Sequence, residues 1–332
     1  MNKKEQLIVT GGTGFIGSNL LCTLEEKGYT DIISIDTFGC ESKWKNVAKR
    51  SCVSFILPEQ MPAYLDRHQE DISAIIHLGG ISSTTETDVD KIVETNIQLS
   101  ISLYNYCKMN HIQFIYASSA ATYGLAGSFE DVQDIDSLRL LRPMNAYGWS
   151  KHCVDKHIAI DRKSDVADCQ VVGLKFFNVY GPNEYHKGEQ MSVIAKFHKQ
   201  YAQQGRAKLF KYGEGSVMEG KSPRRDFVYV NDCVDVIIWM LEHKHVSGLF
   251  NVGTGQARTF QDVACIVAKM SGTEPNIDYI EMPDSLKSQY QDYTCADMTK
   301  LRNTGYSAKM TSLEDGIADY INNFLSKTDK YK

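Results

Sequence analysis

Tyr147 and Lys151 stand four residues apart in Ala146-Tyr147-Gly148-Trp149-Ser150-Lys151, a Y-x-x-x-K spacing. In a helix, positions i and i+4 share one face, so a phenol and an ammonium can point into one site. A neighbouring positive charge favours the phenolate and lowers the tyrosine pKa. A phenol tuned in this way can take a hydroxyl proton as hydride leaves the same carbon, and can give it back. An amphipathic helix with a surface lysine shows the same spacing, so the pair counts only in company. Ser119 supplies part of that company, within Tyr116-Ala117-Ser118-Ser119-Ala120-Ala121-Thr122-Tyr123-Gly124. The run closes an apolar strand pattern, and open α/β sheets bind ligands at strand C-termini. A serine there can hydrogen-bond a reacting hydroxyl, although small residues also simply make a turn.

Hydride needs an acceptor, and the N-terminal glycines can hold one. Thr10-Gly11-Gly12-Thr13-Gly14-Phe15-Ile16-Gly17 leads from a strand pattern into a helical one, with Gly11, Gly14 and Gly17 spaced G-x-x-G-x-x-G. Glycines so placed let the backbone turn tightly, approach a pyrophosphate with no Cβ in the way, and pack helix on strand. The pyrophosphate then meets free N–H groups at the helix N-terminus. Asp36 follows at the roughly 20-residue spacing at which an acid meets the adenosine ribose. An Asp there favours NAD by repelling a 2′-phosphate, yet Lys43 and Lys45 follow in the same loop and could neutralise that phosphate. A solvated loop would carry the same lysines. These residues leave NAD and NADP both open.

Alternating elements must position these groups. Strand patterns at Leu7–Thr10, Ile32–Asp36, Val53–Leu57, Ala74–Leu78, Phe114–Ser118 and Val171–Phe176 alternate with helical ones, notably Phe15–Lys27, Lys91–Asn110 and Ala146–Asp161. Such alternation implies right-handed βαβ units and a parallel sheet. The runs LIVT, AIIHL and FIYAS are apolar on both faces, as in strands covered by helices on each side. After Asn178 the polar loops lengthen (Pro182–Gln190, Tyr212–Arg225) among helices Asn231–His243, Phe260–Met270 and Leu313–Phe324 and a strand Leu249–Val252. The expected architecture is α/β: a Rossmann-type doubly wound parallel sheet with a smaller α/β C-terminal substrate-binding region. Residues 1–177, with returning segments near 226–253, are read as the cofactor domain and 178–332 mainly as the substrate domain. A single domain with decorated loops is the rival division.

Composition narrows the class further. At 332 residues, 42% hydrophobic and 23% charged, the chain can bury a substantial core. A net charge of -5 gives no basic field for nucleic acid and no polybasic membrane patch. Charged residues or glycines interrupt every apolar run short of the ~18 residues of a membrane span. The start, MNKKEQLIVTGG, lacks the apolar core of a signal peptide. Nine scattered cysteines with no C-x-x-C read as buried reduced thiols, not as a disulfide framework or a metal site. A cytoplasmic protein without a metal is expected.

The order of the motifs (glycine loop, AIIHLGG, YASSAATYG, AYGWSK, KFFNVYGPNE, RRDFVYVNDCVD, LFNVGTG) resembles the extended short-chain dehydrogenase/reductase superfamily over nearly the whole chain. The resemblance implies that Ser119, Tyr147 and Lys151 are catalytic. Dehydratases of that superfamily place an acid pair just after the serine, whereas Ala121 and Thr122 stand here. Epimerisation or simple oxidation is therefore implied. Ser82-Ser83-Thr84-Thr85-Glu86, Asn178–Glu184 with His186-Lys187-Gly188, and Ser288–Arg302 look like the ADP-L-glycero-D-manno-heptose 6-epimerases, bacterial enzymes of lipopolysaccharide core synthesis. In that family hydride is proposed to leave C6″ for NADP⁺, the ketone to turn, and hydride to return to its other face.

Two faces call for two proton-transfer groups, and the resemblance assigns Lys187 as the second base. From the residues alone, a loop lysine gripping a phosphate is an equal reading. The resemblance also implies cofactor contacts at Phe15, Ile16, Thr37, Leu78, Gly79, Gly80, Ile81, Ser82, Asn96, Lys151 and Val179. Asp36 with Lys43 matches the pattern that accepts NADP, with NAD the alternative. Contacts to an ADP-heptose are implied at Ser83, Asn178, His198, Phe210, Ser216, Arg225 and Tyr290. Arg225 suits a diphosphate by its bidentate fork, while Phe210 and Tyr290 could be core aromatics. The chain departs from the family at Glu189-Gln190-Met191, one residue longer, which leaves an expected Ser contact without a clear counterpart, and at the extended Gly213–Pro223. Homo-oligomers, usually pentamers, are implied. The rival functions are a 4-epimerase or 4-reductase for another nucleotide sugar, and a non-catalytic NADP-sensing regulator.

Overall fold

The computed structural model describes residues 5–39, 42–125, 128–163, 169–211, 222–283 and 291–332. Its centre is a seven-stranded sheet of β1 (Gln6–Thr10), β2 (Ile32–Ile35), β3 (Val53–Ile56), β4 (Ile72–His77), β5 (Gln113–Ser119), β6 (Val171–Phe176) and a later strand, Gly248–Val252. The spatial order is Gly248–Val252, β6, β5, β4, β1, β2, β3, and every pairing is parallel. The Rossmann-type α/β architecture is thus borne out. Every residue of β1 and β6 is buried, because helices cover both faces. β3, at the sheet edge, is half-exposed throughout.

Three sequence-predicted elements fall on their observed bounds: the helix Ala146–Asp161, β6, and the helix Phe260–Met270. Most others shift by one or two residues. The helical pattern at Lys91–Asn110 forms a continuous helical stretch over 89–109, whose middle segment, Val93–Gln98, widens into a π-helix. π-Helical turns put an extra residue into the helix and often mark functional positions. Here the buried member of that segment is Asn96.

Beyond the sheet lie β7 (Asn178–Tyr180), β8 (Ala207–Phe210), β9 (Arg224–Tyr229), β10 (that later sheet strand, Gly248–Val252), β11 (Ala257–Thr259) and β12 (Ile277–Ile280). β9 pairs parallel with β7 and antiparallel with β11, while β8 and β12 pair with each other. A separate core fills this region, with Ile194, Phe197, Val263, Val267, Ile317 and Tyr320 contributed by three helices. The helix Val230–Glu242 instead packs its Cys233, Val234 and Ile237 into the main core beside the first helix, Phe15–Glu26.

The helix of Tyr147 is placed by two local features. Asn145 caps it, its Oδ1 accepting from Gly148 N at 2.8 Å. Gly148 then lets the helix lie on the turn after β5: a Cβ there would stand 2.6 Å from Ala121 O. Deeper in the same helix, Asp155 accepts from Tyr116 Oη (3.0 Å), Ser118 Oγ (2.8 Å) and Lys175 Nζ (2.8 Å). Lys175 also donates to Thr122 Oγ1 at 2.5 Å. The ion pair is 1% and 0% exposed, so its charges compensate each other in the dry interior. Removing one partner of such a pair strands the other. Lys175→Met should destabilise the fold by about 3–5 kcal/mol in a denaturant titration, and adding Asp155→Asn should recover part of the loss.

Candidate active site

The segments that follow β1 and β4 and the C-terminal ends of β5 and β6 line one cavity of about 390 Å³. Its wall includes Phe15, Ile16, Leu78, Gly79, Gly80, Ile81, Ser82, Ser119, Tyr147, Lys151, Asn178, Val179 and Lys187. All are residues singled out from the sequence. A larger cavity, about 450 Å³, opens elsewhere among Gln133, Arg162 and Leu249, and none of the sequence-predicted site residues lines it.

The glycine turn is shaped as a dinucleotide requires. Gly11 has φ +71°, and a Cβ on it would stand 2.6 Å from Gly79 N, so this turn and the loop after β4 touch backbone to backbone. A Cβ on Gly17 would overlap Gly11 O. Gly14 caps the first helix with no side chain in the way. Asp36 stands one residue beyond β2, and its Oδ2 accepts from Thr13 N (3.0 Å) and Thr13 Oγ1 (2.5 Å). Its Oδ1 accepts from Thr37 N (2.8 Å) and Lys43 Nζ (3.1 Å), and Lys43 also donates to Thr37 O at 2.6 Å. Lys43 therefore neutralises Asp36 directly. These residues fit an adenosine dinucleotide.

Asn96 sits behind the cavity rather than on its wall. Its Oδ1 accepts from Ile81 N (2.8 Å), and its Nδ2 donates to Ile81 O (2.9 Å) and Ser150 Oγ (3.0 Å). One buried amide thus clamps the loop after β4 to the helix that bears Tyr147 and Lys151. His77, at the end of β4, bridges Thr10 Oγ1 (2.6 Å) and Ser100 Oγ (2.8 Å). Burial first, and the Lys151 charge second, hold its pKa down at about 3, so it stays neutral.

Burial governs the titratable groups on the cavity wall. Tyr147 hydrogen-bonds to Ser119, and that bond favours the phenolate, but burial is the larger influence and raises the phenol above its ordinary value. The lowering expected from Lys151 is therefore corrected. Lys151 is 5% exposed, and burial brings its pKa down to about 8 against the pull of Asp155, one turn further along the helix. Its charge is itself costly at this position. Lys187 is likewise lowered by burial, with Glu184 opposing, and its Nζ lies 5.4 Å from the centre of the Phe15 ring.

Lys187 reaches the cavity from a short 3₁₀ segment, Tyr185–Gln190, that Glu184 ties at both ends. Glu184 O accepts from Lys187 N at 3.0 Å. Its carboxylate accepts from Ser192 N (2.5 Å), Ser192 Oγ (2.6 Å) and Tyr320 Oη (3.1 Å). Ser192 lines the cavity and caps the helix Val193–Gln204. A serine just ahead of an apolar helical pattern is a cap signal that could have marked it. Gln190, Met191, Phe227 and Phe260 are further wall residues that sequence reasoning missed.

Several predicted substrate contacts lie off this wall. Ser83 bonds to Thr85 at 3.1 Å, on the loop after β4. His198 is half-buried on the helix Val193–Gln204, and burial lowers its pKa. Phe210 ends β8, and Arg225, 7% exposed on β9, sits 5.7 Å from the centre of the Phe260 ring. Ser216 and Tyr290 lie outside the described residues. Among the described residues, no group of three or more His, Cys, Asp or Glu could hold a metal ion, and no helix is long and apolar enough to cross a membrane.

A glycine turn, an acid paired with Lys43 beyond β2, and Ser119, Tyr147 and Lys151 on one wall are an arrangement that could serve dinucleotide-dependent redox chemistry. Residues 7–253 match the NAD dependent epimerase/dehydratase family. The chain belongs to that family. Curated relatives named ADP-L-glycero-D-manno-heptose-6-epimerase, from Nitratidesulfovibrio vulgaris (strain DP4) and Fusobacterium nucleatum subsp. nucleatum, are each 41% identical, with 98% of this chain and 99% of theirs aligned. The Helicobacter pylori protein of that name has a similar structure, with TM-score 0.78, 28% identity and 96% of each chain covered. A UDP-N-acetylglucosamine 4-epimerase from Methanobrevibacter ruminantium M1 shares the fold, with TM-score 0.81 at 22% identity, 98% of this chain and 99% of that one covered. The resemblance carried by the SSTTE loop and His186-Lys187-Gly188 is thereby borne out. The family is nicotinamide-dependent, and the turn at Gly11–Gly17 fits that dinucleotide. Asn96→Ala removes two hydrogen bonds that hold the cofactor-facing loop, each worth about 1 kcal/mol. Dinucleotide affinity, read by titration, should fall by about tenfold while the fold persists.

Proposed function

We propose that the protein epimerises ADP-D-glycero-D-manno-heptose at C6″ to ADP-L-glycero-D-manno-heptose, by transient oxidation and re-reduction with bound NADP, in lipopolysaccharide core heptose synthesis. One observation carries the reading: Tyr147 and Lys187, from unconnected elements, line one cavity. The names of the 41%-identical relatives support the substrate. The Lys43–Asp36 pair supports NADP, since an acid neutralised at 3.1 Å no longer repels a 2′-phosphate. The free thiols of the described cysteines support a reducing, cytoplasmic setting, and a homo-oligomer, a pentamer by resemblance, completes the reading.

The nicotinamide, when bound, supplies the acceptor and then the donor of a hydride. Gly11, Gly14 and Gly17 hold its pyrophosphate, Asp36, Thr37 and Lys43 its adenosine end, and Lys151 its other ribose. Ser119 and Tyr147 hold the C6″ hydroxyl, and Tyr147 takes its proton as the carbonyl forms. Lys187, whose ammonium is made more ready to release a proton by burial, can return one to the oxygen on the opposite face. Together they let the oxygen lose its proton on one side and regain it on the other. Asn178, Ser83, His198, Phe210 and Arg225 hold the nucleotide and sugar, with the Arg225 fork on the diphosphate. Residues 178–332 form the substrate-binding part in this reading, and 1–177 with segments near 226–253 the cofactor part.

ADP-D-glycero-D-manno-heptose incubated with the protein should give the 6″ epimer without added reductant, read by NMR. A 4-epimer of UDP-glucose formed instead would overturn the heptose assignment. Tyr147→Phe should retain dinucleotide yet lose at least about 10²-fold in turnover; full activity would refute its role. Lys151 carries its charge below pH about 8 and loses it above. Loss of the ammonium that holds the nicotinamide ribose should make kcat/KM fall as pH rises through about 8, and Lys151→Arg, charged throughout, should remove that fall.

A further inference from the structure

Lys187 stands on a loop with little regular structure of its own, and the last residues of the sequence reach across to hold it. Tyr185 is gripped from two sides: the Tyr331 ring meets it edge-on at 5.3 Å, and Lys330 Nζ lies 4.3 Å from its centre. Tyr185 Oη donates to Lys330 O at 2.8 Å. Two residues earlier, Asn183 is fully buried at φ +71°, a left-handed backbone that needs outside support in a residue other than glycine. Asn183 Oδ1 accepts from Lys332 N (3.0 Å), while its Nδ2 donates to Ser18 Oγ on the first helix (3.0 Å).

Tyr331 and the neighbouring Asp329 also hold the loop beside the cofactor's adenosine end. Lys49 Nζ donates to Tyr331 O at 2.6 Å and pairs with Asp329 at 2.8 Å. That pair is exposed and adds little by itself; the backbone bond and the tyrosine contact make the grip. From this second loop, Asn46 Nδ2 donates to Thr13 O in the glycine turn (2.9 Å) and lies 3.1 Å from His186 Nδ1, next to Lys187. The chain of contacts thus runs from glycine turn to Asn46 to His186, and closes through 329–332.

We infer that Asp329–Lys332 is a positioning strap that ties the Lys187 loop to the loop under the glycine turn, so that the second proton-transfer group is placed in register with the bound dinucleotide. This deepens the epimerase reading and rests on it. A lysine displaced by about an ångström can cost on the order of 10²-fold in rate without any loss of binding. The strap acts through Tyr185 and Asn183, and none of its residues lines the cavity.

The test is a Lys330→Ala/Tyr331→Ala double variant of the full chain, with Tyr331→Phe as the conservative partner. The double variant should epimerise roughly 10- to 100-fold more slowly in kcat, with KM and retained dinucleotide near wild type. Amide hydrogen exchange should quicken in residues 183–192 and stay unchanged in 113–119. Tyr331→Phe keeps the ring and the backbone contacts, and should restore both kcat and protection. Unchanged kcat with unchanged exchange in 183–192 would overturn the strap. So would loss of protection spread equally over the sheet, which marks a merely structural role. If the double variant does not fold, Lys49→Met alone should still quicken exchange in 183–192, and unaltered exchange would overturn the proposal. Failure of the underlying reading shows separately, as a wild-type protein that forms no 6″ epimer or a Lys187→Met variant with full turnover.

Discussion

Asp155 is the buried group that fixes the strand end of Ser119 and the helix of Tyr147 and Lys151 relative to each other. It lies two turns along the helix from Tyr147 and one from Lys151, so all three project to one side. Its carboxylate takes hydrogen bonds from β5 through Tyr116 and Ser118 and an ion pair from β6 through Lys175. Ser118 precedes Ser119, so the strand end carrying the serine and the helix carrying the tyrosine are pinned to one buried anion. A buried charge of this kind is costly unless fully paired. Full pairing leaves little room for the helix to slide, and register between Ser119 and Tyr147 follows from that.

Above that anchor the site is governed by the contest between desolvation and specific contacts. Burial alone would make Tyr147 a poor proton acceptor and would discharge Lys151 and Lys187. Each has one opposing influence: Ser119 for the tyrosine, Asp155 for Lys151, Glu184 for Lys187. Burial prevails in each, so a phenol reluctant to ionise shares the site with amines that release protons more readily than in water. An isomerisation, in which every proton taken must be given back, can use both kinds of group.

The parts of this molecule that are local in sequence were legible in it. The helix Ala146–Asp161 announces itself through its i, i+4 pattern, and β6 through its paired valines and the Leu174 and Phe176 on either side of Lys175. Gly11, Gly14 and Gly17 reveal their turn because no other residue tolerates such close backbone approach. What stayed hidden depends on residues far apart in the chain. Asn96 clamps Ile81 from within a π-helical segment, Glu184 reaches Ser192 and Tyr320, and Lys175 meets Asp155. In sequence Glu184 and Lys175 read as ordinary polar residues, and Asn96, implied there as a cofactor contact, gives no sign of its bonds to Ile81. The direction of the Tyr147 shift was misjudged for a related reason: adjacency to Lys151 is visible in the spacing, whereas the depth of burial is a property of the assembled sheet.

The two proposed bases are mounted differently, and this fits their tasks. Tyr147 stands on a sixteen-residue helix fixed by a cap, by the Gly148 contact and by Asp155 below. Lys187 stands on a six-residue 3₁₀ segment with Gly188 at φ +54°, held from inside by Glu184 and from outside through Tyr185 and Asn183. A carbonyl that must present both faces needs room to turn, and a loop can yield where a helix cannot. Tethering of Glu184 to Ser192 confines that yielding to the residues between them. Rigid support on one wall and tethered support on the other let one cavity serve both faces of one carbon.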